Sequence, residues 1–153
     1  MSTYRQLHEQ GSAGLHMRDW AALNAVVIEE FRSNGGRVER FGHLPVVIVH
    51  AIGARTGELR EIPLIAVFEE DEMLLFGTAA GSPRDPSWCH NVRAHPRVTV
   101  EYESECFVAD VAQLPADRAE RIVGTRAADT PQLAGYITSA APRIIPVFSV
   151  VRV

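Results

Sequence analysis

Residues 46–78 read VVIVHAIGARTGELREIPLIAVFEEDEMLLFGT. Three short runs rich in Val, Ile, Leu and Phe, at Val46–Ile52, Ile62–Phe68 and Met73–Thr78, are separated by a glycine-bounded turn and by the acidic turn Glu69-Glu70-Asp71-Glu72. Runs of this length and β-branched content, bounded by turn residues, are strands, and their close spacing predicts an antiparallel meander. Further along, Arg97–Tyr102 and Cys106–Leu114 alternate with period two. Val98, Val100 and Tyr102 share one face, and Glu103-Ser104-Glu105 makes a tight hairpin between the two runs. Pro146–Val153 closes the chain as a sixth strand. Six short strands in 153 residues predict a mainly β, α+β domain: a barrel or half-open barrel that hides its strand edges by closing on itself.

Helical signals flank the strands. After Asp19 as an N-cap, Trp20, Leu23, Val27 and Phe31 recur at i, i+3, i+7 and i+11, and the pattern stops at Ser33-Asn34-Gly35-Gly36. Asp85-Pro86 reads as an N-cap followed by proline at the first helical position, with a short helix through Trp88 and Asn91 that ends before Pro96. A further helix is expected near Ala116–Arg126, and a short helix or loop around Tyr136. No internal repeat and no Pro/Gly/Ser-rich linker divides the chain. Residues 19–153 are therefore expected to form one domain after a loose N-terminal segment, 1–18.

Composition narrows the function. With 46% hydrophobic and 22% charged residues the chain can build a core without disulfides or a structural metal, which excludes collagen-like and natively disordered readings. No apolar run approaches the ~18 residues a membrane span needs, and the first residues lack the apolar region of a secretory signal. A cytoplasmic protein without a transmembrane segment is the expectation. A net charge of −4 argues against a nucleic-acid partner, so any anion must be held locally. All 15 basic residues are arginine, a usage that a GC-rich genome favours.

Two segments carry chemistry. The first is Gly53-Ala54-Arg55-Thr56-Gly57-Glu58-Leu59-Arg60-Glu61-Ile62-Pro63-Leu64. Glycines permit the positive φ that turns successive N–H groups toward one point, and arginines offer planar forks to phosphate, so this turn reads as an anion cradle or, alternatively, as an ordinary hairpin with solvated arginines. The second is Pro86-Ser87-Trp88-Cys89-His90-Asn91, preceded by Gly77-Thr78-Ala79-Ala80-Gly81. A large ring beside small residues can stack on a flat heterocycle, or Trp88 can simply fill the core while Asn91 caps a turn. Cys89, His90 and His95 match no zinc spacing, and no metal is expected. Cys89 with His90 makes a poor nucleophile pair, because adjacent helical residues do not face each other.

Taken together, Gly53-x-Arg55-Thr56-Gly57-x-x-Arg60-x-x-Pro63-Leu64, Pro86-x-Trp88-x-x-Asn91-x-x-Ala94-x-Pro96 and Arg143-x-Ile145-Pro146-Val147 resemble the deazaflavin-dependent nitroreductase family, as does the opening Asn24–Gly36 segment. Ala54, Arg55, Ala79, Cys89 and His95 stand where that pattern has Arg, Lys, Lys in some members, Tyr and Asn. The resemblance implies a split β-barrel with flanking helices and an oxidoreductase using coenzyme F-420, a 5-deazaflavin with a phosphate and a polyglutamate tail. FMN is the less favoured cofactor. By the same resemblance Arg55, Thr56 and Arg60 would meet the phosphate and tail. Pro63, Thr78, Ala79, Pro86, Trp88 and Asn91 complete the cofactor set around them, and Tyr136 with Thr78 would serve catalysis as donors on the substrate side. The implied reaction is hydride transfer to an electron-poor alkene, quinone or nitro compound, with the cofactor carrying the hard chemistry. A small-molecule substrate and a homodimer fit this picture. A non-catalytic barrel holding a fatty acid or other apolar ligand is the alternative.

Overall fold

The computed structural model describes residues 17–153; the side chain of Trp20 and residues 1–16 of the expected loose segment 1–18 lie outside the described residues. Six antiparallel strands form a closed barrel: β1 (Val46–Ile52), β2 (Leu59–Glu69), β3 (Glu72–Phe76), β4 (Arg97–Tyr102), β5 (Glu105–Gln113) and β6 (Val147–Arg152). Their order is β1-β2-β3-β6-β5-β4, with β4 returning to β1. The six expected strands and their antiparallel pairing are therefore present.

Two strand boundaries differ in a way that moves site residues. β2 starts at Leu59 rather than Ile62, because the turn closes early: the Gly53 N–H donates to Glu58 O at 2.8 Å and the Gly57 N–H to Gly53 O at 2.9 Å. Arg60 consequently sits on the strand instead of in the turn. β3 ends at Phe76, short of Thr78, because the carbonyls of Gly77 and Thr78 turn to the Arg143 side chain instead of to a neighbouring strand.

Helix α1 (Met17–Ser33) begins two residues before Asp19, which lies inside it rather than capping it. Its glycine stop is as expected: Gly35 has φ +63° and the Gly36 N–H reaches back to Phe31 O at 2.8 Å, the 6→1 bond of a Schellman end. A Cβ at Gly36 would stand 2.6 Å from Glu103 Cα, so the helix end can meet the β4–β5 hairpin only through glycine. Val27, Ile28 and Phe31 of α1 cover the outward side chains of Val46 and Ile48. After a 3-10 turn at Ala79–Gly81 comes α2 (Ser87–Ala94). Its N-cap is Pro86, not Asp85, whose carboxylate is taken by Arg93 and Arg143 instead. Helices α3 (Ala116–Ala127) and α4 (Pro131–Ala140) cover β3 and β6 through Leu114, Ala119, Val123 and Ile145. Tyr136 thus lies on a helix.

The barrel interior holds Val47, Val49, Ala51, Leu75, Val100, Val111 and Phe148, and α2 adds Trp88, Cys89 and Val92 to the same cluster. Each fully buried aliphatic or aromatic side chain there stabilises the fold by about 1.5–3 kcal/mol. The interior is thus a packed core. No helix among the described residues is long and apolar enough to cross a membrane.

Candidate functional site

Strand direction sorts the connections between the two barrel ends. β1 leads out, and β2 back in, at the end where β3 exits, β4 enters, β5 exits and β6 enters. The loop 53–58, the loop 77–86, helix α2 and the segment before β6 all meet there. The hairpin tips at Glu70 and Glu103 mark the other end. Two motifs separated by some thirty residues of sequence meet directly: the Ala54 N–H donates to Asn91 Oδ1 at 3.0 Å. The glycine turn and α2 are therefore neighbours at one mouth.

The sequence-derived residues distribute around this mouth unevenly. Arg55 and Thr56 are exposed at the turn, where the Thr56 hydroxyl accepts from the Glu58 N–H at 3.2 Å and shapes the bend. Arg55 has no hydrogen bond or ion pair among the described residues. Arg60 pairs in register with Ala51, an interior residue, and so shares the inward face of β2 with Ile62 and Leu64, at the rim. It is 48% exposed and meets Glu58 at 3.1 Å. Pro63 is buried opposite Ile48 on the outward face, so the structure does not bring it to the rim with Arg60.

Trp88 is 6% exposed and packs against Phe148 with ring centroids 5.2 Å apart and planes at 59°. Asn91 uses its amide oxygen on the Ala54 loop. Pro86 and Ala79 are half-buried at the mouth. Tyr136, also half-buried, is brought to the 77–82 loop: a Cβ at Gly81 would lie 3.2 Å from Tyr136 Cα and 2.9 Å from Ser139 Cβ. Burial, and after it Asp85, pushes the Cys89 thiol far above its usual range, so this sulfur is no thiolate nucleophile.

Arg143 is the residue sequence reasoning passed over. Its Nη1 donates to Gly77 O at 2.9 Å and to Asp85 Oδ1 at 2.8 Å, its Nη2 to Thr78 O at 2.9 Å and Ser82 O at 2.8 Å, and its Nε to Ser82 O at 3.0 Å. Asp85 also accepts from Arg93 at 2.9 Å, and the Arg93 guanidinium lies 5.5 Å from the Phe148 ring centroid. The signal was present in the sequence as Arg143-x-Ile145-Pro146-Val147, but only the fold shows what the guanidinium grips.

A second polar cluster lies on the outward face, away from the mouth. His50 Nε2 stands 2.6 Å from Glu101 Oε2 and 3.7 Å from Glu61 Oε2. The His50 nitrogen and the two carboxylates fall within 4.8 Å of one another, a spacing that could hold a cation. Arg32 of α1 already supplies one, bonding Glu101 at 3.1 and 2.7 Å and also reaching Glu61. The Arg32 hydrogen bond is the main cause holding the Glu101 carboxyl below its usual range, with His50 assisting.

Comparison with known proteins agrees with this architecture. The profile of the F420H(2)-dependent quinone reductases matches residues 24–152. F420H(2)-dependent quinone reductases of Mycobacterium tuberculosis strains CDC 1551 and H37Rv are each 32% identical over 79 residues, 50% of this chain and 53% of theirs. The chain thus spans about half the length of the curated relatives it matches. A solved F420-H2 dependent reductase superposes with a TM-score of 0.58 at 31% identity, over 69% of this chain and 93% of its own. A structure described as a domain-swapped dimer reaches 0.60 at 28% identity, over 88% and 99%. HutZ, a haem storage protein from Vibrio cholerae, shares only the fold, with a TM-score of 0.51 at 11% identity over 82% and 87%. With all six barrel strands inside the matched span, the chain belongs to the F420H(2)-dependent quinone reductase family.

Proposed function

We propose that this chain is a coenzyme F-420-dependent oxidoreductase, with residues 19–153 as its deazaflavin-binding domain, that reduces a quinone or a related electron-poor acceptor. The observation that carries the reading is the 3.0 Å bond between Ala54 and Asn91, which sets the arginine turn beside α2 in a chain of this family. The residues fit the coenzyme. A polyanionic tail needs guanidiniums that are not already committed, and Arg55 has no partner among the described residues. The exposed Arg60–Glu58 pair is worth at most about 1 kcal/mol and yields to a stronger anion.

When bound, the deazaflavin supplies a hydride-transfer centre that does not pass single electrons at ordinary potentials. The chain's part is to bind, orient and exclude water. Arg55, Thr56 and Arg60 hold the tail, while Thr78, Ala79 and Pro86 line the ring from the 77–86 loop. Trp88, fixed on Phe148, would support the ring from below, and Asn91 keeps the arginine turn in place. Tyr136 and Thr78 face developing negative charge on the acceptor as donors. Holding two reactants in such register is worth effective molarities of up to about 10⁵–10⁸ M.

Two further expectations belong to this reading. The protein works in the cytoplasm, in keeping with its two free cysteines, Cys89 and Cys106. It acts as a homodimer, for which the support is the outward face of β5 and β6: Val108, Val151 and Val153 are exposed there, and a related structure is described as a dimer. The test of function is titration of the purified protein with oxidised coenzyme F-420, followed by turnover of the reduced coenzyme with a small soluble quinone. Saturable binding in the micromolar range and quinone-dependent oxidation are expected; no saturable binding refutes the reading.

A further inference from the structure

We propose that Arg143 is a positioning residue for the cofactor loop: its guanidinium holds the Gly77–Ser82 backbone so that Thr78 and Ala79 turn their N–H groups toward the deazaflavin ring. The inference rests on the reading above that Thr78 and Ala79 lie against that ring.

The geometry follows from peptide planarity. Across a trans peptide the C=O of one residue and the N–H of the next point in opposite directions. Gly77 O and Thr78 O both accept from Arg143, so the Thr78 and Ala79 N–H groups point away from the guanidinium as a pair of donors. This arrangement is not one the loop adopts unaided. Ala79 and Ala80 have φ of +46° and +52°, a region where side-chain-bearing residues are strained and which persists only when the surroundings impose it. Gly81 follows at φ +81°, closed against α4 by Ser139 and Tyr136.

Arg143 is the imposing element. It is buried to 12% side-chain exposure and makes five hydrogen bonds to four residues of the loop, three of them through backbone carbonyls. Asp85 orients it and is itself held by Arg93 from α2, so the loop is referenced to the same helix that carries Trp88 and Asn91. Only a planar fork with donors on three nitrogens can span Gly77, Thr78, Ser82 and Asp85 together; a lysine ammonium at that place keeps the charge and loses the span.

The test compares wild type with Arg143→Lys. Oxidised coenzyme F-420 is titrated into both, and backbone exchange is followed without the coenzyme. Arg143→Lys is expected to melt within about 8 °C of wild type. Its Kd for the coenzyme rises about tenfold, equivalent to about 1.4 kcal/mol. The Gly81 and Ser82 amides, which donate to Thr78 O at 2.9 Å and Ala79 O at 3.0 Å, exchange about tenfold faster while strand amides keep their protection. In turnover, KM for the reduced coenzyme rises by the same factor and KM for the quinone does not, a split that a general loss of stability would not produce.

Wild-type binding that Arg143→Lys keeps within about twofold overturns the inference and leaves the proposed function standing. Failure of wild type itself to bind refutes the proposed function and with it the inference. Should Arg143→Lys not fold, Asp85→Asn removes the carboxylate that orients the fork and spares its carbonyl contacts. A Kd raised about threefold there is the expected result, and an unchanged one overturns the inference.

Discussion

The loops 53–58 and 77–86 stand side by side at one end of the barrel, and each is governed by arginine, yet the arginines are deployed in opposite senses. In the first, Arg55 is exposed and without a partner among the described residues, and Arg60 meets only an exposed glutamate. In the second, Arg143 is nearly buried and every contact it makes is internal to the protein. A guanidinium taken out of water must be fully hydrogen-bonded by its own chain, whereas one left in water remains free for a ligand. Burial, then, separates the arginine that builds the mouth from those left exposed at it, although the residue type is the same.

Arg143→Ala breaks the contrast most strongly. It leaves Asp85 half-paired and the Gly77 and Ser82 carbonyls without their donor, while Thr78 O keeps only the Gly81 N–H, and unfolding free energy falls by about 3–5 kcal/mol, read by chemical denaturation. Arg60→Ala should do the converse. Stability stays within about 0.5 kcal/mol, as for most surface changes, while coenzyme affinity drops by about 1.5–3 kcal/mol in a fluorescence titration. Unchanged affinity would remove Arg60 from the tail site.

Gly77→Ala tests how tightly the second loop is built. The new Cβ would lie 2.7 Å from Cys89 Sγ and 2.8 Å from Pro146 Cγ, and the cost of forcing it in is about 1–3 kcal/mol, visible as a lowered Tm. A matching Gly57→Ala in the first loop meets nothing within 4 Å, so only its φ of +72° resists the change, at about 1 kcal/mol.

The smallest effect sharpens the comparison with a third arginine, Arg32, which is half-exposed and bridges Glu101 and Glu61 on the outward face. Glu101→Gln should cost about 1 kcal/mol near neutral pH. The sign is set by the Glu101 carboxyl, whose pKa is lower in the folded than in the unfolded state, chiefly through Arg32. Its contribution is complete above the ordinary value of 4.5 and is lost as pH falls through the folded value. The gap between wild type and variant therefore closes in acid, checked by denaturation from pH 7 down to pH 3.

Much of this was legible in the chain itself. Apolar runs rich in Val, Ile, Leu and Phe marked the first three strands and period-two alternation the next two, because a pleat with one face buried imposes alternation while one buried on both faces needs a continuous apolar run. The Gly35-Gly36 stop of α1 was equally readable, since the left-handed end needs glycine. Less legible were the starts of α1 and α2. Asp19 and Asp85 both resemble N-caps, and one is inside a helix while the other is claimed by two arginines far away in sequence. Local capping loses where a buried charge partner is on offer.

Residue types and spacing thus determined, unaided, that the chain would form six short strands, and that it would carry a glycine-bounded arginine turn. Side-chain periodicity and backbone preference are local properties, so they survive in the one-dimensional record. Only the tertiary structure decided that Arg60 faces inward at the rim while Pro63 faces outward, that Asn91 holds the Ala54 turn, and that Arg143 grips Gly77 and Thr78 from more than sixty residues away. Those facts depend on register and on which charges are sealed from water, and both arise only when the barrel closes.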